Sequence, residues 1–92
     1  MKVGDRYIVR SWKSMEEEFG LDFDGDIPMN QIYFTSDMRE YCGKMVTVDY
    51  VLQNGFFRIK EDRNLYSWTE EMVQECKNSI IYYLQRRVEE CS

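Results

Sequence analysis

Acidic side chains are concentrated in one short stretch of the sequence, and their types and spacing are the first to suggest chemistry. Residues 14–26 contain six carboxylates and no basic residue: Glu16, Glu17, Glu18, Asp22, Asp24 and Asp26. The three aspartates match positions 1, 3 and 5 of a calcium loop, but Ile27 stands where that loop needs glycine and Tyr33 where it needs glutamate. An EF-hand is therefore excluded, and we expect no metal and no cofactor.

Two interpretations of these acids remain open, with a weak cation site as a less favoured third. The first is a solvated acidic loop, which is the ordinary role of a run of like charges. The second is a partner-binding surface that imitates the phosphates of a nucleic acid and is accepted by a basic channel.

Catalytic groups are scarce in this chain. It has no histidine, so no Ser-His-Asp or Cys-His arrangement can be assembled, and no glycine-rich phosphate-binding loop occurs. No carboxylate stands in an apolar stretch of the kind that suits acid–base work. The sequence therefore predicts a protein that is not an enzyme. Seventeen acidic and twelve basic residues give a net charge of −5, which disfavours direct binding of nucleic acid.

Basic and aromatic residues on the predicted strands provide an alternative site of another class. An outward ring can stack on a base while a neighbouring guanidinium neutralises a phosphate. The residues of this alternative nucleotide-binding site are Arg6, Arg10, Phe56 and Arg58. Most other strand aromatics are expected in the core by alternation, namely Tyr7, Tyr50, Phe57, Tyr66 and Trp68.

The first half of the chain predicts one strand, one helix and a long loop. Residues 6–10 have a strand pattern, with Tyr7 and Val9 inward and Ile8 outward. A short helix follows over residues 12–19, capped by Ser11 or Ser14. Residues 21–33 are predicted as loop, and residues 36–42 as a short helical turn capped by Thr35.

A β-hairpin is the clearest pattern in the second half. Asn54-Gly55 is typical of a two-residue type I′ turn, which pairs Leu52 with Phe57 and Asp49 with Lys60. A return strand then places Trp68 opposite Phe57. The segment Phe34-Thr35-Ser36-Asp37-Met38 also resembles Trp68-Thr69-Glu70-Glu71-Met72, which indicates one strand-to-helix transition used twice.

A C-terminal helix is predicted from Glu70 to about residue 90. Its apolar arc is wider than one packing face requires, which favours self-association and a homodimer. The candidate contacts are Ile80, Tyr83, Leu84, Val88 and Cys91. The competing interpretation is a monomer whose tail folds back over residues 21–33. We expect residues 1–75 to form the SH3-like domain and residues 76–92 to be a C-terminal helical extension of the same domain.

Composition indicates one small α+β domain in a reducing compartment. The cysteine count is odd (Cys42, Cys76 and Cys91), so no disulfide framework is indicated, and a cytoplasmic location is expected. The opening residues lack the apolar segment of a signal peptide, and the longest apolar run, residues 80–84, is too short to span a membrane.

Several structural motifs resemble those of small SH3-like β-barrels. Gly4-Asp5-Arg6-Tyr7-Ile8-Val9-Arg10 and Gly43-Lys44-Met45-Val46-Thr47-Val48 are similar to repeat barrels of the mind-bomb type. With Ser11-Trp12, Phe34-Thr35 and Trp68-Thr69-Glu70-Glu71-Met72, residues 3–75 resemble short uncharacterised proteins of bacterial phages and prophages. The resemblance implies a strongly bent antiparallel sheet with short helical insertions and the C-terminal helix.

The resemblance also sets the functional expectation. A small acidic phage-type protein without catalytic groups is expected to bind and inhibit a bacterial host defence factor in the host cytosol. The best-fitting target is a protein or ribonucleoprotein complex that handles nucleic acid, as for anti-CRISPR proteins. The alternatives are a sponge that sequesters a nucleotide immune signal and a plain protein–protein adaptor.

Overall fold

The computed structural model describes residues 1–75, which form an α+β domain. The four strands of the main sheet are Arg6–Val9 (β1), Met45–Val51 (β4), Phe57–Ile59 (β5) and Val73–Glu75 (β6). They form an antiparallel sheet in the order β5-β4-β1-β6. Two shorter strands, Ile27–Pro28 (β2) and Tyr33–Phe34 (β3), pair as a separate ribbon, so the prediction of loop over residues 21–33 is wrong at 27–28 and 33. β5 and β6 are the two edges of the main sheet, which is open over the described residues.

The single α-helix of the described residues, α1, is the predicted one and runs from Trp12 to Phe19. Ser11 is its cap, because the Ser11 Oγ accepts a hydrogen bond from the Ser14 amide at 3.1 Å. Gly20 ends the helix with φ +86°, where its amide donates to the Glu16 carbonyl at 2.8 Å. Met15 is buried, and Trp12 and Phe19 pack on the core, as the helical spacing predicts.

The core lies between α1, the β2–β3 ribbon and the inner face of the main sheet. Its largest fully buried side chains are Trp68, Phe34, Phe57 and Met15. The Phe34 and Trp68 rings meet edge to face with centroids 5.9 Å apart. Trp68 also forms the predicted bridge with Phe57, through two backbone hydrogen bonds of 2.9 Å.

The two similar segments adopt similar turns. Phe34 and Trp68 are each followed by an extended threonine and then by a 3₁₀ turn, over Ser36–Tyr41 and Glu70–Met72 respectively. The predicted side-chain cap by Thr35 is wrong, because its hydroxyl does not bond the turn that follows it, and the Thr69 hydroxyl does not bond its turn either. The hydroxyl oxygens of Thr35 and Thr69 are buried and have no hydrogen-bond partner among the described residues.

The predicted hairpin register is wrong by one residue at the loop. The Leu52 amide donates to the Phe56 carbonyl at 2.8 Å, and Val51, not Leu52, pairs with Phe57. The loop therefore has three residues, Gln53 to Gly55, with Gly55 at φ +85°. The register shifts again between Val48 and Tyr50, which is typical of a β-bulge and leaves Tyr50 59% exposed.

Asp49 consequently does not face Lys60. Thr47 occupies that position, since its carbonyl accepts from the Lys60 amide at 3.1 Å. The Asp49 carboxylate accepts instead from the Asn64 side-chain amide at 2.9 Å. The three-residue loop and the bulge, each of which shifts the register by one residue, together explain why the predicted Asp49–Lys60 contact is absent from the described residues.

Two further expectations about burial and helix extent are wrong. Ile8, predicted to point outward to solvent, is only 4% exposed, whereas Tyr7 and Val9 pack in the core as predicted. The predicted helix from Glu70 does not start there, because the 3₁₀ turn at Glu70–Met72 leads into β6, where Val73 pairs with Val9. Pairing with β1 satisfies the backbone of residues 73–75 as strand and removes them from any helix.

The predicted self-association residues Ile80, Tyr83, Leu84, Val88 and Cys91 lie outside the described residues, as does the extension over 76–92. Over residues 1–75, no helix combines the length and the apolar character needed to cross a membrane.

Candidate functional site

The acidic loop, residues 21–26, is a closed turn organised by one aspartate. The Asp22 Oδ1 accepts hydrogen bonds from the amides of Asp24 at 2.9 Å and Asp26 at 3.0 Å. Backbone bonds close the same turn, from the Asp22 amide to the Asp26 carbonyl and from the Gly25 amide to the Asp22 carbonyl. Gly25 adopts φ +85°, a conformation that favours glycine. Asp22 therefore fixes the conformation of the loop and also contributes to its negative charge.

Asp26 anchors the acidic loop to the body of the domain. Its Oδ1 accepts a hydrogen bond from the Ser36 amide at 2.8 Å, at the start of the 3₁₀ turn that follows β3. The next residue, Ile27, is fully buried in the core. The loop is thus tied at its C-terminal end by a charge-assisted hydrogen bond and by a buried side chain.

Phe23 lies at the tip of this turn and is 97% exposed. It stands between Asp22 and Asp24, and the neighbouring Leu21 is 47% exposed. A large ring that an ordered turn holds in water does not stabilise the fold, because its apolar surface stays hydrated. Interfaces, by contrast, use such aromatic side chains as anchors. The sequence places Phe23 among the aromatic residues that are less clearly core, but its position between aspartates gives no periodicity from which to infer its exposure.

The carboxylates of the helix and of the loop differ in whether they have a hydrogen-bond or ion-pair partner within the domain. The Glu18 Oε1 forms an ion pair with the Arg10 Nη2 at 2.7 Å. The Glu16 Oε1 accepts from the Trp12 Nε1 at 3.1 Å. Glu17 and Asp24 are exposed and have no side-chain partner within residues 1–75. These two acids are therefore the ones whose charge can be removed without breaking an internal contact.

The six acids lie on two consecutive elements, the end of α1 and the loop that follows it. They do not converge on one point: no group of three or more potential ligands among residues 1–75 could hold a metal ion. The arrangement is an extended charged surface with an exposed ring, which suits a macromolecular partner better than an ion.

The residues of the alternative nucleotide-binding site are distributed among other contacts. Arg10 is half-buried, and its Nη atoms donate to the Glu71 carbonyl at 2.9 Å and to the Ser14 Oγ at 2.8 Å. Arg58 donates to the Asn64 carbonyl at 2.6 Å, and Arg6 contacts the Met45 sulfur at 3.9 Å. Phe56 lines a cavity to which none of the three arginines contributes. Arg10 in particular is committed to internal contacts.

That cavity is a second candidate site, and sequence reasoning missed most of its residues. It measures about 320 Å³ and is lined by Asn30, Gln31, Asn54, Gly55, Phe56, Thr69, Glu70 and Glu71. Three segments that are distant in the sequence meet there, because the Phe57–Trp68 bridge brings residue 69 beside residue 56. The polar residues among them carry no motif, and only the tertiary fold brings them together.

Cys42 is the one thiol of the described residues, and its surroundings disfavour a nucleophilic role. Burial raises the pKa of the Cys42 thiol, against the opposing effects of Arg39 and of a backbone hydrogen bond from Trp12. A raised pKa lowers the thiolate fraction at neutral pH, and the thiolate is the reactive form.

Comparisons of this chain with protein-family models, with curated proteins and with solved structures give no match.

Proposed function

We propose that this protein is a non-enzymatic binding protein of phage or prophage type that inhibits a bacterial host defence complex in the host cytosol. It docks through the acidic loop, with Phe23 as the anchor, on a basic surface such as a nucleic-acid channel, in the manner of anti-CRISPR proteins. The observation that carries the binding role is the 97% exposure of Phe23 on a hydrogen-bonded turn. The phage origin and the class of target rest on the resemblance over residues 3–75.

The chemistry of the loop defines what it would bind. Burying a phenylalanine ring contributes about 1.5–3 kcal/mol, so the partner should offer an apolar pocket. The carboxylates around the ring require basic side chains at the rim of that pocket and would accelerate association with a positively charged surface. An apolar pocket with a basic rim is the complementary surface that this loop requires.

We propose in addition that the fold is of the SH3-like kind. In support, β1 pairs with both β4 and β6, and β4 continues into β5. Phe57 of β5 then bridges to Trp68, and a 3₁₀ turn connects Trp68 with β6. In this interpretation α1 and the β2–β3 ribbon are insertions between the first two strands of a strongly bent sheet.

The proposed inhibition is tested on a panel of purified RNA-guided nuclease complexes, by the anisotropy of a labelled target duplex. We expect the protein to block DNA binding by at least one complex, and the block to weaken as NaCl rises from 50 to 500 mM, because salt screens the exposed carboxylates. Inhibition of no complex in the panel would contradict the proposed target class.

Charge variants test whether the acidic loop, together with the end of α1 that precedes it, is the docking surface. The double variant Glu17→Gln/Asp24→Asn removes two charges that make no internal contact and should weaken inhibition. The matched control is Asp37→Asn/Glu40→Gln, which removes two exposed charges outside residues 14–26. Equal weakening by both variants would show that net charge, and not the loop, determines binding.

A further inference from the structure

The cavity between residues 30–31, 54–56 and 69–71 has the size and the lining of a small ligand site. Its volume of about 320 Å³ lies at the lower end of the range for ligand pockets. Half-buried Phe56 supplies an aromatic surface, and the rest of the side-chain lining is polar. The cavity does not involve the acidic loop.

The charge of the lining has one sign. Glu70 and Glu71 both contribute, and no lysine or arginine is among the lining residues. The Glu71 Oε2 accepts a hydrogen bond from the Asn30 side-chain amide at 2.5 Å, and the Glu71 backbone carbonyl accepts from the Arg10 guanidinium at 2.9 Å. Glu71 is therefore held in place from both sides, while Glu70 is exposed and has no side-chain partner among residues 1–75.

The same cavity contains further hydrogen-bonding groups with capacity to spare. Gln31 and Asn54 line the opening, and their amide oxygens are additional acceptors. The lining thus combines two carboxylates, neutral acceptors and one ring.

We propose that this cavity binds the guanidinium group of an arginine side chain carried by a protein partner. A guanidinium is planar, so it stacks on the Phe56 ring while its edge faces the carboxylates. It has five N–H donors, which match a lining rich in acceptors better than the three donors of an ammonium. The two negative charges select a cation over a neutral side chain of the same shape.

The probe is N-acetyl-arginine methylamide, titrated into the full chain and followed by ¹H–¹⁵N NMR. We expect saturable shifts at the amides of residues 30–31, 54–56 and 69–71. The neutral isostere N-acetyl-citrulline methylamide should bind at least about tenfold more weakly, since a charge-assisted hydrogen bond contributes more than a neutral one. The lysine analogue should also bind more weakly than arginine.

Two variants and a control assign the site. Glu70→Gln removes an exposed charge, so folding is preserved, and it should weaken arginine binding about tenfold. Phe56→Leu removes the aromatic face and should reduce the preference for arginine over lysine. Glu40→Gln, an exposed acid outside the cavity, should change neither.

Three results would overturn the proposal: shifts spread over all exposed carboxylates, equal binding of arginine and citrulline, or lysine binding as tightly as arginine. Substitutions in the acidic loop should leave the titration unchanged, so its failure is distinguishable from failure of the loop-mediated inhibition proposed above.

Discussion

The buried Asp62 carboxylate accepts a hydrogen bond from the Trp68 indole Nε1 at 3.0 Å. Asp62 is 6% exposed and also accepts from the amides of Leu65 at 3.2 Å and Tyr66 at 3.1 Å. One side chain therefore closes the turn after β5 and fixes the ring of Trp68 in the core. Since Trp68 precedes Thr69, Glu70 and Glu71, this contact also positions one wall of the cavity.

Replacement of Asp62 by alanine should destabilise the domain strongly. It deletes three hydrogen bonds to a carboxylate and leaves the indole N–H buried without a partner, so we expect a loss of about 3 kcal/mol in the free energy of unfolding. Asp62→Asn keeps one acceptor oxygen and should lose less. Urea denaturation followed by tryptophan fluorescence measures both, with exposed Glu40→Ala as the control. An Asp62→Ala midpoint equal to that of Glu40→Ala would disprove the role of this contact.

Arg10 should be a structural residue and not a ligand-binding one. Its guanidinium joins three segments by donating to the Ser14 Oγ, the Glu18 carboxylate and the Glu71 carbonyl. A lysine cannot form this fork, so Arg10→Lys should cost about 1.5 kcal/mol, measured by thermal or urea unfolding. Arg6→Lys is the matched control, because Arg6 is exposed and its guanidinium donates only to the Met45 sulfur among residues 1–75. Equal stability of the two variants would contradict the assignment.

The acidic loop should lose its order when Asp22 is removed. Asp22→Ala deletes the acceptor for the amides of Asp24 and Asp26, and we expect their hydrogen exchange to accelerate about tenfold relative to the wild type. Asp22→Asn retains an acceptor oxygen and should exchange nearly as slowly as the wild type. Both variants remove the negative charge of Asp22, but only Asp22→Ala removes the hydrogen-bond acceptor. Comparing them therefore separates the effect of the acceptor on the conformation of the loop from the effect of the charge. Unchanged exchange in Asp22→Ala would show that the backbone bonds alone hold the turn.

Cys42 should react slowly with alkylating reagents in the folded protein. Burial raises the pKa of its thiol, so the folded state holds the proton more tightly than the unfolded chain does. This difference stabilises the fold. The contribution of Cys42 to the free energy of unfolding is complete below the pKa of the thiol in the unfolded chain, and it is lost as the pH rises through the pKa of the thiol in the folded state. In Cys76→Ser/Cys91→Ser, the pH midpoint of iodoacetamide labelling should lie above the midpoint in 8 M urea. A midpoint at or below the urea value would contradict the prediction.

The hairpin shows how far local sequence determines structure here. Asn54-Gly55 correctly locates the turn, because Gly55 takes a positive φ in both the two-residue and the three-residue loop. Local sequence does not distinguish those loops, and the choice shifts the register by one residue. The bulge between Val48 and Tyr50 then exposes Tyr50, which alternation places in the core. Helix α1, with its serine cap, glycine end and regular apolar spacing, follows from sequence because all of its signals are local.

The candidate sites also contain features that local sequence predicts and features that depend on the tertiary fold. The acidic stretch is visible in the sequence, but the internal hydrogen bonds of Asp22 and Asp26 are not, because they depend on the closed turn and on Ser36. The exposure of Phe23 follows from that same turn. The cavity depends on three segments meeting around the Phe57–Trp68 bridge, so only the tertiary fold places Asn30 against Glu71.

The most direct test of the account is the plating efficiency of a phage on bacteria whose RNA-guided defence targets it. Expression of the wild-type protein should restore plaques, and Phe23→Ser should reduce plating at least about tenfold, because burial of the ring is lost. Phe23→Ser should fold like the wild type, and Leu65→Ser, which alters an exposed apolar residue outside the acidic loop, should remain active. Failure of the wild type to restore plaques, or full activity of Phe23→Ser, would contradict the central claim.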